Sequence, residues 1–241
     1  MSDALVIIPT YNEIENIEAI IRTVFSQEKV FEILVVDDAS PDNTASKVKA
    51  LQSEFKGQLH LVQRQGKTGL GSAYLSGFKW ALERNYQYIF EMDADFSHNP
   101  NDLIKLYNAC SSEQVDMTVG SRYVKGITVV NWPLSRILLS YGASRYVRLI
   151  TGMNVKDPTA GFVCYSRAVL ERLDLDKVRF VGYAFQIEMK FKASKKGFRI
   201  REIPVIFKDR EKGKSKMSGN IISEAIFGVI SLKINSLFTN S

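Results

Sequence analysis

The sequence predicts an α/β protein on a doubly wound, mostly parallel sheet. Two observations carry that reading. Strand-like and helix-like segments alternate from the first residues onward, the pattern of βαβ units. The first strands are continuous apolar runs, Ala4–Ile8 and Ile33–Val36, as expected of strands covered on both faces.

In chain order, Ala4–Ile8 ends in the polar turn Pro9-Thr10-Tyr11-Asn12-Glu13. Ile14, Ile17, Ile20, Ile21 and Val24 then recur at helical spacing. The second strand ends at Asp37-Asp38-Ala39-Ser40-Pro41-Asp42, followed by a helix with Ala45, Val48, Leu51 and Phe55 on its apolar face. Leu59–Val62 is a short third strand, and the stretch Gln65–Gly71 leads into a helix through Ala81. The fourth strand, Gln87–Met92, runs into Asp93-Ala94-Asp95. Ligands of open α/β sheets sit beyond the carboxyl ends of the strands, so Glu13, Asp37/Asp38 and Asp93/Asp95 should converge on one edge.

The chain has 241 residues, 45% of them hydrophobic, enough for one large domain with a sizeable core. Its net charge is +6, and Lys190–Lys216 holds eleven Lys/Arg against three acids. Such a patch suits nucleic acid, an anionic membrane or a phosphorylated substrate. Cys110 and Cys164 are far apart and in no ligand spacing, which fits a reduced cytosolic compartment. No signal peptide and no apolar run of about 18 residues is visible, so a soluble or peripheral protein is expected. Neither an internal repeat nor a linker interrupts the chain.

Two nucleotide motifs fail. Gly66-Lys67-Thr68 lacks the earlier glycine of a phosphate loop, because position 61 is Leu61. Gly69-Leu70-Gly71 does not follow the first strand and lacks a third glycine, which disfavours a dinucleotide oxidoreductase. Lys67 remains near the expected ligand edge, where it is a candidate for a phosphate.

Asp93-Ala94-Asp95 at a strand end admits two readings. Alternation would send both carboxylates to one side, where they hold a hard divalent cation completed by substrate phosphates. They also serve as turn-forming acids before the helix that Asn99-Pro100 opens. Arg122 follows another apolar strand, and arginine is the residue for forked phosphate contacts. Arg136, with Ser140 a turn later, is a weaker candidate for an acceptor phosphate. Residues Arg210–Lys216 read as a glycine-containing basic loop, either a flap covering phosphates or a solvated charged loop.

Trp132-Pro133-Leu134 and the aliphatic and tyrosine residues up to Ile150 alternate with Arg136, Arg145 and Arg148. That is an amphipathic, basic stretch suited to a membrane interface or to packing on the sheet. Interfacial helices are therefore expected over 126–152 and 218–238 of a single domain spanning 1–241. Glu188 is expected on an amphipathic helix. The aromatics form no stacking platform on a sheet, which argues against nucleic acid.

Pro9–Glu13, Val36–Asp42, Gly69–Gly71 and Met92–His98 together resemble the inverting family 2 glycosyltransferases. Gly120–Tyr123, Asp157–Phe162, Gly182–Met189 and Asp209/Arg210 with Ser215/Lys216 narrow the resemblance to the polyprenol-phosphate (dolichol-phosphate) mannose synthases, over nearly the whole chain and in order. The resemblance implies a GT-A fold in the minimal form without a transmembrane region. It implies mannose transfer from GDP-mannose to a polyprenyl phosphate with inversion, using Mg2+ or Mn2+. It places Pro9, Tyr11 and Glu13 around the guanine, with Val36 and Asp38 at base and ribose. Asp93, Ala94 and Asp95 would meet metal and diphosphate, and Arg122, Arg210 and Lys216 phosphates. The expected metal ligands are Asp93 and Asp95, and the expected catalytic set is Asp95, Arg122, Arg136, Ser140 and Arg210. The expected location is cytoplasmic, on the inner face of the membrane.

Such chemistry needs a neutralised leaving diphosphate and an in-line nucleophile. A phosphate-monoester acceptor is already anionic, so cations that position it replace a strong general base. The chain has only His60 and His98 and many arginines, which fits. Another donor such as UDP-glucose on the same lipid, or a non-catalytic membrane-binding module, are the competing readings.

Overall fold

The computed structural model describes residues 2–112, 114–182, 184–209 and 220–238, with backbone alone for 220–226 and for 237 and 238. Strands β1 (Ala4–Thr10), β2 (Glu32–Asp37), β3 (Leu59–Gln63), β4 (Tyr88–Glu91), β5 (Met117–Ser121), β7 (Val163–Ser166) and β8 (Ile200–Pro204) form one sheet. Its order is β3-β2-β1-β4-β7-β5-β8. Every neighbouring pair is parallel except those made by β7, which is antiparallel to β4 and β5. The chain winds from β1 out to β3 and then crosses to the other side of β1 at β4. The topological switch point therefore lies between β1 and β4, the place where open α/β sheets bind ligands.

Helices cover both faces, which is why β1 and β2 carry almost no polar residue before their ends. On one face lie α1 (Ile17–Phe25), α2 (Thr44–Gln52) and α4 (Leu103–Ser112), through Ile17, Val48 and Leu103. On the other lie α3 (Leu70–Leu82), α6 (Arg167–Arg172) and α7 (Ala184–Lys195), through Ala73, Val169 and Phe185. Ile14 precedes α1, because the Glu13 carbonyl accepts from Asn16 and Ile17 and starts the helix there. Phe55 lies past the end of α2 but stacks on Phe25 with ring centroids 4.3 Å apart.

The late helices depart from expectation in two ways. The helix expected over 126–152 is α5, Leu134–Thr151. Before it come Gly126 and Asn131 at positive φ, the short strand β6 (Val129–Val130) and an extended Pro133, none of which can belong to a helix. Its other end is Gly152, at φ 75° with its N–H donating to the Arg148 carbonyl, a left-handed cap. Glu188 does not sit on an amphipathic helix: α7 is buried from Ala184 to Phe191 on every side. The segment expected at 218–238 is helix α8, Asn220–Phe238. Val229 and Leu232 of α8 meet Val147 of α5 and Phe191 of α7 in a third apolar cluster. Burying each such side chain contributes about 1.5–3 kcal/mol. Among the described residues, no helix is long and apolar enough to cross a membrane.

Candidate active site

The loops after β1 and β2 are stitched together by short polar side chains. Thr10 donates to Asp37 at 2.8 Å, and Ser40 donates to the same carboxylate while accepting from the Asn12 N–H. Asp42 takes the N–H of Ile14 at 3.0 Å and the hydroxyl of Thr44. Asp37 and Asp42 are thus loop-building acids. Asn12 (φ 57°), Ala39 (φ 56°), Asn43 (φ 68°) and Phe96 (φ 60°) place left-handed non-glycine residues in the loops after β1, β2 and β4, two of them after β2. Such strain persists only where surrounding contacts over-determine it, and it gathers at functional loops.

Asp38 points elsewhere. Its carboxylate pairs with Arg64 at 2.9 Å, and Arg64 also reaches Ser72 at the start of α3. Burial raises the Asp38 pKa, and Arg64 offsets this only in part. Lys67 is exposed, its ammonium 4.7 Å from the centre of the Tyr11 ring. Val36 is completely buried, so its side chain belongs to the core. Pro9 ends the same edge, opposite Val36 in the β1–β2 register.

The glycines of the Gly69–Gly71 stretch serve packing. A Cβ on Gly69 (φ 105°) would lie 2.8 Å from the Val181 carbonyl, and one on Gly71 would lie 2.6 Å from the Phe185 ring. The Gly71 N–H donates to that Val181 carbonyl at 2.8 Å. The start of α3 is thereby fixed against the segment entering α7.

Asp93 and Asp95 sit at the switch point. The strand ends at Glu91, so the pair occupies a turn rather than an alternating extension. Asp93 is half-buried with the Tyr74 hydroxyl 3.4 Å away, while buried Asp95 accepts from the Ser97 N–H at 3.1 Å. The Asp93 N–H donates to His98 Nδ1 at 3.1 Å, which leaves the ring proton on Nε2. Burial, with Arg122 nearby, pushes the His98 pKa down to about 4 against the opposing pull of Asp95 and Asp157. Neutral His98 therefore acts as a spacer, its ring stacked on Phe162 at 5.0 Å. Among the described residues no three His, Cys, Asp or Glu side chains form a closed metal cage. Two hard carboxylates fit Mg2+ or Mn2+ of the kind held chiefly by substrate phosphates.

Beyond His98 lies a cluster of arginines and aromatic rings. Arg122 binds the fully buried Asp157 through Nε at 2.7 Å and Nη2 at 2.6 Å, and reaches Thr159 at 2.8 Å. Burial alone would raise the Asp157 pKa, but the Arg122 guanidinium holds it below the usual carboxylate range. The same guanidinium lies 5.6 Å from the Trp132 ring centre and 5.5 Å from that of Phe207, and Arg136 lies 4.0 Å above Trp132. Tyr123 donates to Ser140 at 2.8 Å. Arg136 pairs with Asp209 at 2.9 Å, just where β9 (Phe207–Lys208) ends. Arg122, from the end of β5, thus meets Arg136 and Ser140 of α5 around Trp132 and Tyr123. Arg210 and Lys216, like Tyr183, lie outside the described residues.

Under this floor runs a buried polar network absent from the expectations. Lys190, with no exposed surface, donates to the carbonyls of Ala160 (2.6 Å) and Gln186 (3.1 Å) and to Gln186 Oε1 (3.0 Å). Gln186 Nε2 donates to Glu91 at 2.5 Å, and Glu91 also accepts from Tyr165 at 3.1 Å. Burial pushes the Glu91 pKa up and the Lys190 pKa down, and each charge counters the shift of the other. Glu188 instead receives the N–H groups of Arg179 and Phe180 at 2.9 and 3.0 Å and pairs with Lys192. Their signal in the sequence is three polar residues, Gln186, Glu188 and Lys190, at alternate positions in the otherwise apolar run Ala184–Phe191. Asp157 and Arg64 carried no such signal.

The profile described as "Glycosyl transferase family 2" matches residues 5–177. A polyprenol monophosphomannose synthase of Mycolicibacterium smegmatis is 47% identical over 225 residues, covering 93% of this chain and 84% of that protein. An undecaprenyl-phosphate mannosyltransferase of Micrococcus luteus is 44% identical, covering 93% of this chain and 91% of its own. In fold, the chain resembles glucosyl-3-phosphoglycerate synthase of Mycobacterium tuberculosis, crystallised with Mn2+, UDP and glucosyl-3-phosphoglycerate. The TM-score is 0.69 at 17% identity, over 99% of this chain and 81% of the other. A mostly parallel sheet with its acids at the switch point, a profile match across both halves of that sheet, and near-full-length relatives lead to one conclusion: this protein belongs to glycosyl transferase family 2 and is a glycosyltransferase with a GT-A-like fold.

Proposed function

We propose that the protein transfers mannose from GDP-mannose to a polyprenyl phosphate, with inversion, at the membrane surface. The observation that carries this reading is the adjacency of two cradles. Asp93/Asp95 lie at the switch point, and the Arg122–Trp132–Arg136 cluster lies just beyond His98. Nearly full-length relatives named as polyprenol- and undecaprenyl-phosphate mannosyltransferases support donor sugar and acceptor class.

On this reading Pro9, Tyr11, Glu13 and Asp38 receive the guanosine, with Lys67 free to exchange the Tyr11 face for a phosphate. Asp93 and Asp95 hold Mg2+ or Mn2+, which when bound neutralises the leaving diphosphate. Arg136, Ser140, Arg210 and Lys216 position the acceptor phosphate, with Arg122 fixed in place by Asp157. The acceptor oxygen is already anionic and attacks the sugar carbon from the face opposite the diphosphate, so no side chain need remove a proton.

A lipid acceptor needs an apolar approach. Helix α5 leaves Leu134 (69% exposed), Leu138 (63%) and Leu149 (83%) bare, and α8 leaves Phe227 (73%). With Arg145 exposed on the same helix, these faces suit an anionic bilayer on the cytoplasmic side. The test is incubation of the protein with Mn2+, a polyprenyl phosphate and labelled nucleotide sugars. Lipid-extractable label from GDP-mannose is expected. Label from UDP-glucose instead would keep the mechanism and replace the donor, and none from any donor would favour a membrane-binding module.

A further inference from the structure

The site has two ends on separate pieces of chain, the turn after β4 with Asp93 and Asp95, and the loop 157–161 that holds Arg122. The β4–β7 pairing sets Glu91 opposite Val163, and three further contacts tie the loop ahead of β7 to that turn. Gly161 is packed so that a Cβ there would lie 3.6 Å from His98, whose Nδ1 accepts the Asp93 N–H. Ala160 gives its carbonyl to Lys190 at 2.6 Å. From Lys190 the chain of bonds continues through Gln186 to Glu91, the last residue of β4.

We propose that Lys190 and Gln186 are positioning residues, which lock the loop 157–161, whose Asp157 holds Arg122, to the strand end that leads into Asp93 and Asp95. This rests on the reading of those ends as the donor-metal and acceptor-phosphate cradles. The argument is one of chemistry. An ammonium has three donors, and all three are used in fixed directions here. An apolar pair would fill the same volume at no desolvation cost, and buried ion pairs are often replaceable by packed hydrophobes without loss of stability. What an apolar pair cannot do is hold the Ala160 carbonyl, and with it the loop, at a fixed height above Glu91.

The test separates charge balance from position. Lys190→Met alone strands the Glu91 carboxylate, so the informative protein is the neutral double variant Glu91→Gln/Lys190→Met. It should melt within roughly 4 °C of the wild type. Its kcat for lipid-linked transfer should fall about 10²-fold, the cost of an ångström-scale misplacement, while KM for GDP-mannose changes little. Gln186→Met keeps both charges and removes the bridge, and should lower kcat in the same way. A double variant, or a folded Gln186→Met, with wild-type kcat would show that the network only packs the core. The wild type run in parallel distinguishes the two levels. If it is inactive with every nucleotide sugar, the reading of the site falls and this inference with it. If it is active beside fully active variants, only the inference falls.

Discussion

Asp157 and Arg122 form a two-pronged ion pair, with Nε and Nη2 at 2.7 and 2.6 Å from the two oxygens of a carboxylate that has no exposed surface. The pair fixes the guanidinium before any phosphate arrives. Truncating Asp157 to Ala should destabilise the protein by about 3–5 kcal/mol, because it leaves a buried charge without a partner. Urea unfolding, with an unchanged slope, measures this. Arg122→Lys should impair both stability and transfer, since an ammonium cannot make the fork.

The same pair sets an acid limb of stability. Asp157 is depressed in the folded state below its ordinary value of 3.8. Its contribution is therefore complete above that pH and is lost as pH falls through the lower folded value. Unfolding free energy measured between pH 5 and about 2.5 should fall with a slope that Asp157→Asn reduces.

Asp95→Asn tests the metal role. The amide oxygen can still accept the Ser97 N–H that Asp95 takes at 3.1 Å, so the fold should survive. Turnover should drop about 10²–10³-fold, as when one electrostatic stabiliser of a developing charge is removed. Calorimetric binding of Mn2+ with GDP should weaken in parallel, and wild-type activity would refute the assignment.

Leu138→Glu and Leu149→Glu probe the bare face of α5. Both side chains are mostly exposed, at 63% and 83%, so melting should move little. Sedimentation with anionic vesicles should decrease, and transfer to a long-chain acceptor should fall more than transfer to a short, water-soluble one. Unchanged vesicle binding would point to a role for this face other than membrane contact.

Gly71→Ala should cost about 1–3 kcal/mol through overpacking, because the new Cβ would sit 2.6 Å from the Phe185 ring. Thermal melting reads the loss. A neutral outcome would mean that the start of α3 is free to shift away from α7.

The sequence by itself determined the sheet and its ligand edge. Strands buried on both faces must be apolar along their length, so they announce themselves as runs, and the acids that end them mark the edge. Ala4–Ile8 and Glu32–Val36, with Glu13, Asp38 and Asp93/Asp95 just beyond, were legible for that reason. Tertiary structure alone decided the rest. It inserted β7 antiparallel between β4 and β5, paired Arg122 with a residue 35 positions away, and placed Lys190 beneath the site. Periodicity cannot reveal such partners. A helical stretch buried on all sides, like Ala184–Phe191 of α7, has no polar face to mark it, and an ion pair between distant loops leaves no local pattern in either one.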